Sequence, residues 1–195
     1  MTILKKRIDA YRLDKQAGLT LIESTIVLAI VSVIIAAVWT VSSVVYENAR
    51  QYQANRQMQT SVQNIRQLYA RVNQLTSLSD VTATLDAQAA FPVEMRLTQS
   101  TGSGVLNHPW ASQTGGSVRV FNRTATTFGI VFSNLPKKAC IGLATKLTGG
   151  EITNLTAVQI NGAAATPPVT IVTGTARCNA AGDTNSIEWQ FDIRA

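Results

Sequence analysis

Hydrophobic positions fall into three regimes along this chain. From Ser24 to Tyr46, 23 consecutive residues carry no charge, and apolar side chains occur on every side of a helical projection. At 1.5 Å per residue such a helix is about 35 Å long, enough to cross a bilayer. Beyond Tyr46 the apolar positions thin to a stripe: Val62, Ile65, Tyr69, Val72 and Leu75 recur at three- and four-residue spacing, with Gln59, Gln63, Arg66 and Asn73 between them. No Gly or Pro occurs between Leu19 and Val81, so the pattern predicts one helix from Leu19 to Leu75, about 85 Å long. The Val- and Ile-rich tract from Thr25 to Val45 forms helix poorly in water, but lipid or close packing obliges the backbone to satisfy its own hydrogen bonds.

The third regime is shorter in period. Asp80 to Ala90 reads as a short helix closed by Phe91-Pro92. Gly102, Gly104 and Gly115-Gly116 mark a connection in which Trp110 is an anchor onto the domain. Alternation at Val118 and Val120, then at Phe128, Ile130 and Phe132, predicts paired strands joined near Arg123-Thr124. A helix fits Lys137 to Leu147, with Pro136 opening it and Gly149-Gly150 following. Two further strands are expected at Thr156–Ile160 and Val169–Thr173. The clearest is the last, where Ile187, Trp189, Phe191 and Ile193 alternate with Glu188, Gln190, Asp192 and Arg194. The expected fold class is α+β, one long helix lying against an antiparallel sheet as a roll.

Charge gives the chain a direction. The net charge of +6 includes Lys5, Lys6, Arg7, Arg12 and Lys15 set against Asp9 and Asp14, so half of it lies within residues 1–18. Basic residues before the apolar run and Glu47 after it place the N-terminus in the cytoplasm and the remainder outside. Without those 18 residues the product is only mildly basic, and nucleic-acid binding loses most of its support. A cleaved secretory signal is a weaker reading, because its apolar core would span about 7 to 15 residues and end in small residues.

One carboxylate stands against this pattern. Glu23 sits at the mouth of the apolar run, five residues after Gly18, and burying a charge at a bilayer centre costs roughly 2.5 to 3.5 kcal/mol on insertion scales. The segment Gly18-Leu19-Thr20-Leu21-Ile22-Glu23, behind a basic leader and ahead of the apolar run, resembles the processing site of type IV prepilins. Leu19 stands where Phe is commonest, and with the 18-residue leader this is similar to the type IVb branch. Asn107-His108-Pro109-Trp110 and Gly115-Gly116 resemble a turn of thin conjugative and enteric type IVb pilins, with His108 inserted and a longer spacer.

The resemblance implies a structural subunit, the major pilin, with a pilin α/β roll and a C-terminal disulfide. It implies cleavage between Gly18 and Leu19 by a prepilin peptidase, N-methylation of Leu19, and pairing of the Glu23 carboxylate with the Leu19 amine of a neighbouring subunit during assembly. The corresponding divisions are a leader at 1–18, a transmembrane and filament-core helix at 19–46, its amphipathic continuation at 47–76 and an external head at 77–195. Partners implied are further copies of the chain, the peptidase, an assembly platform with its ATPase, the inner membrane before assembly and a host or recipient-cell surface afterwards. The finished filament would be extracellular and serve adhesion, colonisation or conjugation. On the residues alone, Glu23 could instead favour a helix N-terminus through its dipole. A type II secretion pseudopilin, a minor tip pilin and an uncleaved bitopic anchor with an external binding domain also stay open.

Cys140 and Cys178 are the two cysteines. In an oxidising compartment they should pair, and the C-terminal disulfide of the resembled family agrees. Nothing in the sequence points to catalysis, a metal or another cofactor. His108 is the single histidine and reads as a turn residue, lacking the partners of a nucleophile or ligand set. Gly182-Asp183-Thr184-Asn185 offers oxygen atoms but one carboxylate, which suits a solvated turn better than Ca²⁺.

Overall fold

The computed structural model describes residues 20–71, 75, 79–96, 104–180 and 183–194. Gly18, Leu19 and the leader lie outside the described residues. The chain forms two compact units that divide between Val45 and Tyr46.

The first unit contains the start of α1 (Leu21–Tyr69). Thr20 caps it, its Oγ1 accepting from the Glu23 N–H at 3.2 Å, so the Thr-x-x-Glu spacing forms half of a capping box. Five hydroxyls in the apolar run, those of Ser24, Thr25, Ser32, Thr40 and Ser43, donate to carbonyls three residues back. Polar atoms are thereby satisfied within the helix and cost little in an apolar medium. Apolar side chains on all sides are exposed, and the mean hydropathy of 2.6 is sufficient for a membrane span.

The second unit begins with the rest of α1. Ala54, Met58, Val62 and Ile65 are buried, a stripe at helical spacing that meets the sheet. The helix ends at Tyr69, earlier than the expected Leu75. Tertiary contacts explain the early end: the Tyr69 hydroxyl bonds Asn122 Oδ1, its ring packs edge-on against Phe128, and the Leu75 N–H is drawn to Ala125 O at 2.7 Å.

After α1 come α2 (Thr82–Ala87), a 3₁₀ turn (Val93–Met95) and the one-turn helix α3 (Ala111–Thr114). Strands β1 (Val118–Asn122) and β2 (Thr127–Leu135) form a hairpin. Helix α4 (Lys137–Lys146) runs into a π turn, after which β3 (Leu155–Ile160), β4 (Ala163–Ala165), α5 (Ile171–Arg177) and β5 (Asn185–Asp192) complete the chain. The sheet order is β1-β2-β5-β3-β4 and every pairing is antiparallel. The last strand in sequence is therefore central, which is why its residues are so apolar: Ile187, Trp189 and Phe191 have no exposed surface. Phe128 and Phe132 pack against Phe191 and Trp189 from the neighbouring strand. Burial of each such side chain contributes about 1.5–3 kcal/mol. The α+β class with its helix on an antiparallel sheet stands as expected.

Two elements differ from the expectation. The predicted strand at Val169–Thr173 is instead the entry to α5, where Thr170 accepts from the Thr173 N–H at 3.2 Å and caps the helix. Its β-branched residues suggested a strand, but Gly174 sits close against Ile141 and Thr145 of α4, and this packing outweighs propensity. Strand β4 was not anticipated because it is three alanines. Its signal was the Asn161-Gly162 pair, both residues at positive φ, which turns the chain back onto β3.

Candidate functional site

Glu23 lies in the first turn of α1 and its side chain is exposed. The backbone N–H of Glu23 is engaged by Thr20, and no ion pair to its carboxylate forms among the described residues. A single chain thus presents one acid at the head of a surface of exposed Leu, Ile and Val. In water that surface would aggregate, and in lipid it has its solvent.

The second unit holds a polar cluster where α1 resumes after the apolar run. Glu47 accepts from the fully buried indole Nε1 of Trp110 with both oxygens, at 3.2 and 3.1 Å. One turn on, Arg50 donates to Gln113 Oε1 at 2.8 Å. These bonds fasten α1 to the segment around α3. Trp110 is the anchor the sequence suggested, but its partner Glu47 was recognisable only as the first charge after the span.

His108 corrects the expectation of a turn residue without a role. It is 4% exposed, stacks on Phe132 with centroids 5.6 Å apart, and lies between two backbone groups. Its Nε2 meets Ser133 O at 2.7 Å, and its Nδ1 accepts from the Trp110 N–H at 3.2 Å. Those partners require a neutral ring with the proton on Nε2. Gly116 is necessary beside it, because any Cβ there would collide with the imidazole and with Ser133 O. Sequence showed the Gly-Gly pair but not what approaches it.

Burial pushes the His108 imidazole below its usual value, outweighing the Ser133 carbonyl, which pulls it upward. The unfolded chain therefore takes up the proton first as pH falls from about 6.5. Stability present above that pH is lost as pH falls toward the folded-state value, by at most about 1.4 kcal/mol per pH unit. Urea unfolding of wild type and His108→Asn between pH 7.5 and 5.0 measures it. The variant should be weaker at high pH and show a shallower loss on acidification; equal slopes would remove His108 from the explanation.

Charged pairs brace the outer connections. Asp86 and Arg96, almost wholly buried, meet at 2.7 Å and tie α2 to the chain after the 3₁₀ turn. Arg123 clamps Glu188 with two bonds of 2.6 Å across Gly129, where a larger side chain would strike the carboxylate. Arg66 of α1 donates to the carbonyls of Asp192 and Thr153. The buried Asp86–Arg96 pair adds specificity of arrangement more than net stability, although removing one partner is costly.

Cys140 on α4 and Cys178 at the end of α5 form a disulfide, with Cα atoms 5.9 Å apart. Both are fully buried. The bridge closes the segment containing β3 and β4 upon α4.

Comparison with known proteins agrees with this architecture. Residues 13–39 match the prokaryotic N-terminal methylation motif, which spans the predicted processing site and the start of the apolar run. That motif, joined to the disulfide-closed sheet domain, defines the class as type IV pilins. Residues 47–191 match the family described as PilS N terminal. The chain belongs to that family.

Among solved structures, the type IV b pilin from Salmonella typhi is 24% identical, with 70% of this chain and 95% of that one covered and a TM-score of 0.53. TcpA, a type IV pilin from Vibrio cholerae El Tor biotype, is 12% identical, covers 73% of this chain and 98% of its own, and gives a TM-score of 0.49. The first of these likenesses is one of fold. No curated protein sequence matches the chain.

Proposed function

We propose that this chain is the major subunit of a type IVb pilus, made as a single-pass inner-membrane precursor and polymerised into an extracellular filament. Residues 1–18 are a cytoplasmic leader, cut by prepilin peptidase between Gly18 and Leu19, and the new Leu19 amine is methylated. Helix 19–46 anchors the precursor and then bundles in the filament core; 47–76 continues it, and 77–195 paves the outside. An assembly platform and its ATPase supply the work, and a host or recipient-cell surface is the outer partner, in colonisation or conjugation.

The observation that carries the reading is the surface of the first unit: an apolar helix exposed on all sides with Glu23 alone in its first turn. Cleavage would create an ammonium one turn before that acid. Within one helix the two groups share a crowded end; between copies, the acid of one and the amine of the next neutralise each other at one axial offset. An unpaired charge in the apolar core is costly, so the pair selects register.

Intact-mass measurement of the native chain tests the reading. The expected mass begins at methylated Leu19 in both the membrane and the filament fractions. A working native chain that retains Met1 to Gly18 would overturn it.

A further inference from the structure

The second unit contains a cleft of about 360 Å³ whose wall includes Glu47, Trp110, Gln113, Lys137, Lys138 and Asp183. Two ammonium groups and two carboxylates share this space, yet none of the four joins an ion pair among the described residues, where three other pairs form. Charges of both signs lining one small cleft without pairing to each other match a ligand that carries both signs. Glu47 also has the residue beside it fixed: Trp110 bonds both carboxylate oxygens through a single N–H, leaving lone pairs on each.

The place of the cleft along the chain narrows the ligand further. Glu47 directly follows Tyr46, the last residue of the charge-free run. When that run is embedded, Glu47 is the first group to reach the headgroup layer, where Trp and Tyr are favoured. We propose that the cleft receives the headgroup of a phosphatidylethanolamine-type lipid in the membrane-held precursor, with the phosphate at Lys137 and Lys138 and the primary ammonium at Glu47 and Asp183. A purely anionic headgroup would leave the two carboxylates opposed to it. A trimethylated ammonium balances the charge but has no N–H to donate. The inference rests on reading residues 24–46 as a membrane span.

The full chain in nanodiscs containing equal amounts of phosphatidylethanolamine, phosphatidylcholine and phosphatidylglycerol, with matched acyl chains, supplies the test. Native mass spectrometry after release reads the lipid that stays bound. Ethanolamine lipid should be retained about tenfold over choline lipid, the value of one charge-assisted contact. The Lys137→Gln/Lys138→Gln double variant should lower retention of both zwitterionic lipids and Asp183→Asn should lose the preference between them, whereas Lys146→Gln, outside the cleft, should keep both. Equal retention of the two zwitterionic lipids, or preference for phosphatidylglycerol, overturns the proposal. If the double variant misfolds by circular dichroism, the wild-type comparison among lipids still decides. A chain that fails to enter nanodiscs sinks the membrane reading itself, whereas one that enters and retains no lipid sinks only the headgroup site.

Discussion

Glu23→Ala is expected to abolish filaments while leaving a cleaved, methylated, membrane-held subunit. Glu23 and the apolar run lie on the same helix, but they do different work. The run supplies affinity for lipid or for other helices without regard to axial position. In the proposed assembly the acid makes one position better than its neighbours, because a copy docked out of register would leave an amine and a carboxylate unpaired in an apolar core. Loss of one partner of a buried pair costs about 3–5 kcal/mol, which corresponds to a hundredfold or greater weakening of each docking step. Filament protein sheared from cells should therefore fall at least about a hundredfold, with processed monomer accumulating in the membrane fraction. Glu23→Gln, which keeps an acceptor oxygen, should retain a small residue of assembly. A normal filament yield from Glu23→Ala would limit the residue to favouring the helix start, where Thr20 already caps.

The second large effect is on the head. Serine at both Cys140 and Cys178 should lower the unfolding free energy by about 4 kcal/mol, the chain-entropy value for a closed loop of this length, given a sequence separation of 38. The bridged segment includes β3, β4 and α5, and α5 packs on α4 through Gly174 while its first residues, Ile171 and Val172, are 70% and 79% exposed. Unfolding should thus begin with α5 and the edge strand while β5, in the middle of the sheet, stays paired. Denaturant titration of the full chain in detergent, followed by tryptophan fluorescence, gives the free energy. Hydrogen exchange gives the order of opening. A double variant within about 1 kcal/mol of wild type would mean that the α4–α5 packing alone suffices.

The parts that were legible in advance are those governed by local periodicity. The long helix, the β1–β2 hairpin, α4 and the strand carrying Ile187, Trp189 and Phe191 each repeat a pattern that a single period describes. At Val169–Thr173, alternation over five residues does not separate a strand from a short capped helix. Thr170 and the contact of Gly174 with α4 decide it, and neither the contact nor its geometry is local. His108 depends on distant residues in the same way. A histidine beside Pro and Trp looks like a turn, and only Ser133, 25 residues away, and the aromatic ring of Phe132 turn it into a buried neutral brace.

Sequence alone determined what this protein can tolerate as surroundings: a charge-free run that needs lipid or other helices, one acid at the mouth of that run, and two cysteines far beyond it. Those are properties of composition and spacing, which do not depend on how the chain closes. Tertiary structure decided which distant groups meet: that β5 is central, that Trp110 fastens to Glu47, that α1 stops at Tyr69, and that Glu47, Lys137, Lys138 and Asp183 line one cleft. Such meetings depend on long-range packing, where the burial of side chains far apart in sequence overrides the preferences of each segment taken by itself.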